Sequence, residues 1–305
     1  MAPDTAGDPM TGLKWTRKTL DKVSETLAAA RISLSPNTVG RLLRKMEYSL
    51  RVNHKMISQS KNPNRDCQFR TIEEMKRKYE GLPIVSVDAK KKEQVGNFKN
   101  PGTVLTKTPI LVNDHDFPSL AVGKAIPYGV YDIQANSAHV HVGTTHDTAQ
   151  FAVDSLINWW TEEGDLRYPD AKKLLVLADA GGSNGCRTRA WKYFLQKNLV
   201  DRFNIAVTVC HYPPQTSKWN PIEHRVFSEI SKNWAGQPLV SFETILNYLQ
   251  TTKTKTGLEV NATLNTKDYP TGIEIPEAEM KRLNLQSHAA MPEWNYTLKP
   301  RKAKM

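Results

Sequence analysis

Residues 174–185 run Leu174-Leu175-Val176-Leu177-Ala178-Asp179-Ala180-Gly181-Gly182-Ser183-Asn184-Gly185. An apolar run without alternation is what a strand covered on both faces requires. It stops at a carboxylate and passes into a glycine-rich turn. A helix is expected over about 187–202, then a second strand over Ile205–Cys210. Upstream, Ile84-Val85-Ser86-Val87-Asp88 has the same design, β-branched residues closed by an aspartate. Two more strands, Ile126–Ile133 and Ala138–Thr144, flank the turn-prone Ala135-Asn136-Ser137 and make a hairpin.

Helices fill the gaps. Asp147 is placed to cap one, with Gln150 at capping-box spacing. Ala149, Ala152, Val153, Leu156, Ile157 and Trp160 give that helix its apolar face. Another helix spans about Pro221–Trp234, and a third begins near Ser241. The order is strand, strand, strand, helix, strand, helix, strand, helix. That is an α/β chain with the mixed sheet of a ribonuclease-H-like fold, flanked by helices.

Ahead of this region the pattern is helical from Leu13 to Tyr48. Leu20, Val23, Leu27 and Ala30 form one stripe. Ser35 and Pro36 open a second helix. There Val39, Leu42, Leu43 and Met46 should face inward, with Arg41, Arg44 and Lys45 outward. A basic second helix suits a helix-turn-helix, although an ordinary surface helix pair has the same spacing. The expected organisation is a disordered N-terminus over 1–13, a helix-turn-helix segment over 14–48, and a linker with a connecting helix over 49–80. A catalytic domain over 81–251 and a C-terminal extension with a basic tail over 252–305 complete it.

Composition narrows the function. The 305 residues carry 42 Lys+Arg against 31 Asp+Glu, a formal charge of +11, which favours a polyanionic partner. No apolar run approaches the ~20 residues of a membrane helix, and the N-terminus lacks a signal-peptide pattern. A cytoplasmic, nucleoid-associated protein with no membrane partner is expected. Cys67, Cys186 and Cys210 are too scattered for a disulfide framework or a thiolate zinc site.

In α/β sheets ligands gather at the carboxyl ends of strands, where Asp88 and Asp179 fall. If those strands are neighbours, two carboxylates meet and need a cation between them. Oxygen donors alone point to Mg²⁺ or Mn²⁺. Glu223 is the third candidate. With Asn220 as N-cap and Pro221 at the first helical position, it could equally serve as the third member of a capping-box variant that bonds back to the backbone. Three carboxylates holding two ions about 3.5–4 Å apart can activate a water or a 3′-hydroxyl and stabilise a leaving oxygen of a phosphodiester. Lys90 and Lys92 would share a face with Asp88 if the strand continued, to hold phosphates or shield the acidic cluster. A solvated charge run explains them equally well.

Several segments make a more specific resemblance. They are Thr38–Leu43, Ser86–Glu93 with Gly96–Asn100, His115–Pro118, Gly123–Asp132, Ala178–Gly185, and Thr216–Asn220 with Ile222–Arg225. Together they are similar to the ISAzo13-type insertion-sequence transposases, over roughly Ser35–Tyr296. The resemblance implies a DDE transposase whose acidic triad falls on Asp88, Asp179 and Glu223; Asp88 and Asp179 are then expected to bridge the ions and Glu223 to complete one of them. It further implies Mg²⁺-dependent cleavage and strand transfer at terminal inverted repeats, with target DNA as second partner and a homo-oligomer in the DNA complex. Family members more often carry Thr where this chain has Ala89, and more sequence ahead of the helix-turn-helix. Candidate DNA contacts are Arg41, Arg44, Lys45, Lys90, Lys92, Asn184, Lys218, Trp219, His224 and Arg225; for Trp219 the two readings are stacking on a base and, the more ordinary one, a place in the core.

Three other readings compete. His115-Asp116 and His146-Asp147 suggest a His-Asp phosphohydrolase, but that class needs an all-helical scaffold. A catalytically inactive, element-derived DNA-binding protein would retain the basic surface without the chemistry. A ribonuclease-H-like structure-selective nuclease would cut without joining. The 181–185 turn lacks the Gly-Lys-Ser/Thr ending of a nucleotide-binding loop.

Overall fold

A computed structural model describes residues 18–48 and 63–301, with the backbone of 5–7 and 14–16. The chain divides into two compact units, Met1–Gln59 and Ser60–Met305. The expected disordered stretch, apart from 5–7, lies outside the described residues, as do linker residues 49–62 and the tail after Arg301.

In the first unit β1 (Thr5–Gly7) pairs antiparallel with β2 (Lys14–Thr16). Helix α1 (Leu20–Ala29) starts at Thr19, whose hydroxyl accepts from Lys22 N. Helix α2 (Pro36–Lys45) starts at Ser35, whose Oγ accepts from Thr38 N at 3.2 Å, with Pro36 preset for the first turn. The Ser24 hydroxyl donates to the Leu34 carbonyl and ties the connecting turn to α1. The apolar stripe is narrower than its spacing predicts. Val23 and Val39 are buried, but Leu42 is 42% exposed and Met46 65%. Two ten-residue helices cover one another only where they cross.

The second unit is a nine-stranded mixed sheet between helical layers. Its central strands are β3 (Ile84–Ala89), β5 (Gly123–Asp132), β6 (Ser137–Gly143), β7 (Lys173–Asp179) and β8 (Ala206–Tyr212). Short β4 (Glu93–Val95) adds to β5. The order β8-β7-β3-β5-β6 places β3 parallel to β7 and antiparallel to β5, and β7 parallel to β8. This is the ribonuclease-H-like arrangement. Residues 252–301 are more than an appendage to it. From them, β9 (Glu259–Asn265) pairs with β6, while β10 (Leu285–Ser287) and β11 (Asn295–Leu298) extend the opposite side beyond β8.

Strand β7 is buried from Leu174 to Ala178 because both faces are covered. On one face α4 (Ala149–Trp159) and α5 (Arg189–Phe194) pack Phe151, Leu156, Trp159 and Trp191 against Val85, Val87 and Val176. On the other, α3 (Arg65–Lys78) sets Ile72 against Leu175 and Leu177. Beside it α6 (Ser228–Asn233) and α7 (Phe242–Gln250) cover β5, β6 and β9 through Ile230, Ile245 and Leu249. Helix α4 is capped by Thr148, which accepts from Phe151 N at 3.2 Å, rather than by Asp147. Asp147 Oδ1 is buried without a hydrogen-bond partner. Helix starts tolerate a shift of one residue when two adjacent side chains can both accept.

Candidate active site

Parallel pairing decides where the carboxylates fall. Val87 lies opposite Ala178, so Asp88 and Asp179 leave the sheet side by side at the same edge. Glu223 approaches from the segment after β8. A 3₁₀ turn, Ser217–Trp219, is followed by a π-helical turn, Glu223–Phe227, that runs into α6. This segment reaches the sheet closely because β5 has Gly129 opposite Asp88. A Cβ at Gly129 would stand 2.6 Å from Ile222 Cδ1 and 2.8 Å from Phe227 Cε1.

Asn220 is the residue that the sequence pattern misassigns. Its position predicts an N-cap, and its carbonyl does accept from Glu223 N at 3.1 Å. Its side chain, however, is fully buried and turned toward the sheet. Nδ2 donates to Asp179 Oδ1 at 3.1 Å and to the Val87 carbonyl at 3.2 Å. Oδ1 accepts from the Ser86 hydroxyl, and Ser86 Oγ in turn accepts from Ile222 N at 3.0 Å. No one-dimensional signal marks a cap residue that bonds across the fold.

The three acidic groups act on one another. Burial first, then the charges of Asp179 and Glu223, push the Asp88 carboxyl up to about 8. Burial raises Asp179 to about 6, opposed by the Asn220 hydrogen bond and assisted by Glu223. Among the described residues no group of three His, Cys, Asp or Glu side chains is drawn together tightly enough to hold an ion as it stands. The mutual repulsion nevertheless places these carboxylates within electrostatic reach, and a dication is what relieves such crowding. An oxygen-only donor set fits a hard ion such as Mg²⁺ or Mn²⁺.

Asp88 and Asp179 open into a cleft of about 770 Å³, also lined by Gly181, Arg187, Gln215 and Glu293. Arg187 is a cation that sequence spacing missed, because nothing local distinguishes it from any helix-start arginine. Behind the site, buried His211 Nδ1 bonds the Asp179 carbonyl at 2.9 Å, and burial lowers its pKa to about 4.

The candidate DNA contacts separate into two groups. Lys92, Lys218, His224 and Arg225 are exposed in the second unit, and Arg41, Arg44 and Lys45 in the first. Trp219 is 50% exposed, not core, and stands edge-on to Phe69 at 5.8 Å. Lys90 and Asn184 do not offer their polar ends to a phosphate. Strand β3 stops at Ala89, and Lys90, 9% exposed, turns inward to Glu93 at 3.0 Å and lies 4.5 Å from the Trp234 ring. Asn184 is 1% exposed, folded into the glycine turn.

The site is thus a ribonuclease-H-like sheet with two carboxylates at adjoining strand ends and a third within electrostatic reach. The chain belongs to the family described as the Rhodopirellula transposase DDE domain, ISAZ013 type, whose family model matches residues 1–300. Among solved structures it is similar to the Mos1 transposase paired-end complex with left transposon end, at 17% identity and TM-score 0.45, over 76% of this chain and 65% of that one. It is also similar to the mariner Mos1 paired-end complex with Mg, at 16% identity and TM-score 0.46, with coverages of 76% and 65%. For the catalytic domain of Mos1 mariner transposase the values are 16%, 0.42, 65% and 82%. The chain thus spans 65% of the length of the first of these, just under two thirds. No curated protein matches it. No helix among the described residues is long and apolar enough to cross a membrane.

Proposed function

We propose that this chain is a DDE transposase that cuts and joins DNA at the ends of an insertion sequence. The reading is supported above all by Asp88 and Asp179 standing at adjacent strand ends, with Glu223 within electrostatic reach of both. Asp88, Asp179 and Glu223 would hold divalent ions, Mg²⁺ or Mn²⁺, two in number. Such ions activate a water or a 3′-hydroxyl and stabilise the departing oxygen. The chain itself supplies the acidic strand edge and the cleft that would admit a phosphodiester. Arg187 lines that cleft and balances phosphate charge.

The partners are the terminal inverted repeats and the target DNA, engaged by a homo-oligomer. Arg41, Arg44 and Lys45 form the recognition surface of the first unit. Lys92, Lys218, His224 and Arg225 contact the backbone near the site, and half-exposed Trp219 stacks on a base. Strand cleavage and joining on DNA carrying the element ends, with and without Mg²⁺, tests the reading. Asp179→Asn should abolish both steps while leaving DNA affinity within a few-fold. Cleavage retained in Asp179→Asn refutes the triad. Cleavage without joining by the wild type identifies a nuclease, and DNA binding without either step identifies an inactive binding protein.

A further inference from the structure

We propose that Asn220 is a positioning residue that locks Asp179 and the Glu223-bearing turn into one arrangement for divalent-cation binding. The inference rests on the metal reading of the acidic edge. Its basis is a hydrogen-bond chain with only one consistent polarity. Ser86 Oγ accepts from Ile222 N–H, so its own proton is free to donate to Asn220 Oδ1. The Val87 carbonyl can only accept, and this sets the orientation of the amide. Nδ2 then faces two acceptors, the Val87 carbonyl and Asp179 Oδ1, and donates to both.

Three elements are joined through this one side chain. Ser86 and Val87 belong to β3, two and one residues before Asp88, while Asp179 closes β7. Ile222 and Glu223 open the helical segment. The amide thus sets both the orientation of one carboxylate and the approach of another. It leaves Asp179 Oδ2, and the second lone pair of Oδ1, for an ion. Asn220 and Ser86 are both fully buried, so their bonds to each other and to the Val87 carbonyl are made away from solvent. Outer residues that orient metal ligands typically change metal affinity by about 10- to 100-fold.

The test is Mn²⁺ binding to the full chain, followed by the electron paramagnetic resonance signal of free Mn²⁺, with thermal unfolding measured in parallel. Asp88→Asn and Asp179→Asn should lose binding. Asn220→Ala should bind Mn²⁺ about 10- to 100-fold more weakly and recover most of its cleavage rate when Mn²⁺ is saturating. Ser86→Ala, which frees the amide without removing it, should fall between wild type and Asn220→Ala. The double variant should be no weaker than Asn220→Ala, since both act through one chain of bonds.

Unchanged Mn²⁺ affinity in a folded Asn220→Ala, with binding lost in Asp179→Asn, overturns the positioning role and leaves the metal site standing. If Asn220→Ala does not fold, Ser86→Ala decides in the same way. Wild-type Mn²⁺ affinity in both Asp88→Asn and Asp179→Asn overturns the metal reading itself, and this inference with it.

Discussion

Asp88 shows how much the acidic edge costs the protein without a cation. Its carboxyl is displaced upward, from 3.8 to about 8, by burial and by its acidic neighbours. A group whose pKa is raised on folding contributes stability that is complete below its unfolded value and is lost as pH rises through its folded value. The metal-free protein should therefore lose thermal stability between about pH 4 and pH 8. Asp179, raised to about 6, adds to the loss over the lower part of that window. Asp88→Asn should flatten the profile, and Mn²⁺ should restore the wild type at the alkaline end. Melting curves across this range provide the check. A wild type that tracks the variant throughout would show that Asp88 is not strained.

At the scale of elements, the site depends on how closely the segment after β8 approaches β5. Gly129 makes that approach possible, with Ile222 and Phe227 occupying the space a Cβ would need. Gly129→Ala should destabilise the fold by about 1–3 kcal/mol, as overpacking of a filled core does. It should also weaken Mn²⁺ binding by moving Glu223 away from Asp88. Denaturant unfolding and a Mn²⁺ titration measure the two effects. A loss of stability with intact Mn²⁺ binding would separate Gly129 from the site. The π-helical turn at Glu223–Phe227 lies at the same place, where such turns often occur near functional residues. The central strands were legible because burial on both faces leaves an apolar run, as in Leu174–Ala178, although β5 starts at Gly123, three residues before the expected Ile126. The cap of α4 was not, because Asp147 and Thr148 present the same local chemistry.

For the whole molecule, a +11 charge is a statement about long-range attraction to a polyanion. Part of the proposed DNA binding falls to Arg41, Arg44 and Lys45 on α2, all exposed. Replacing the three with alanine should weaken DNA binding and flatten its salt dependence, by about 0.9 in log–log slope for each phosphate no longer neutralised. Affinity measured across a salt series gives the slope directly, and an unchanged slope would remove α2 from the interface. The sheet is also larger than its first part suggests. Strands β9, β10 and β11, from residues 259–298, complete it on both sides. The alternating pattern of β9 and the brevity of β10 and β11 carry little apolar signal of their own, so their pairing depends on strands far away in the chain.

Periodicity and residue chemistry were enough to place Asp88 and Asp179 at strand ends and Glu223 at a helix start. They also limited the candidate ion donors to oxygens and favoured an anionic partner. These properties are local, because burial on one or two faces leaves its mark within a few residues. That β3 and β7 are neighbours, that Gly129 clears a path for Glu223, and that Asn220 reaches Asp179 instead of capping its own helix were decided only by the tertiary structure. Each depends on which distant segments come together, and a side chain's hydrogen-bond partner across 41 residues has no counterpart in the spacing of its neighbours.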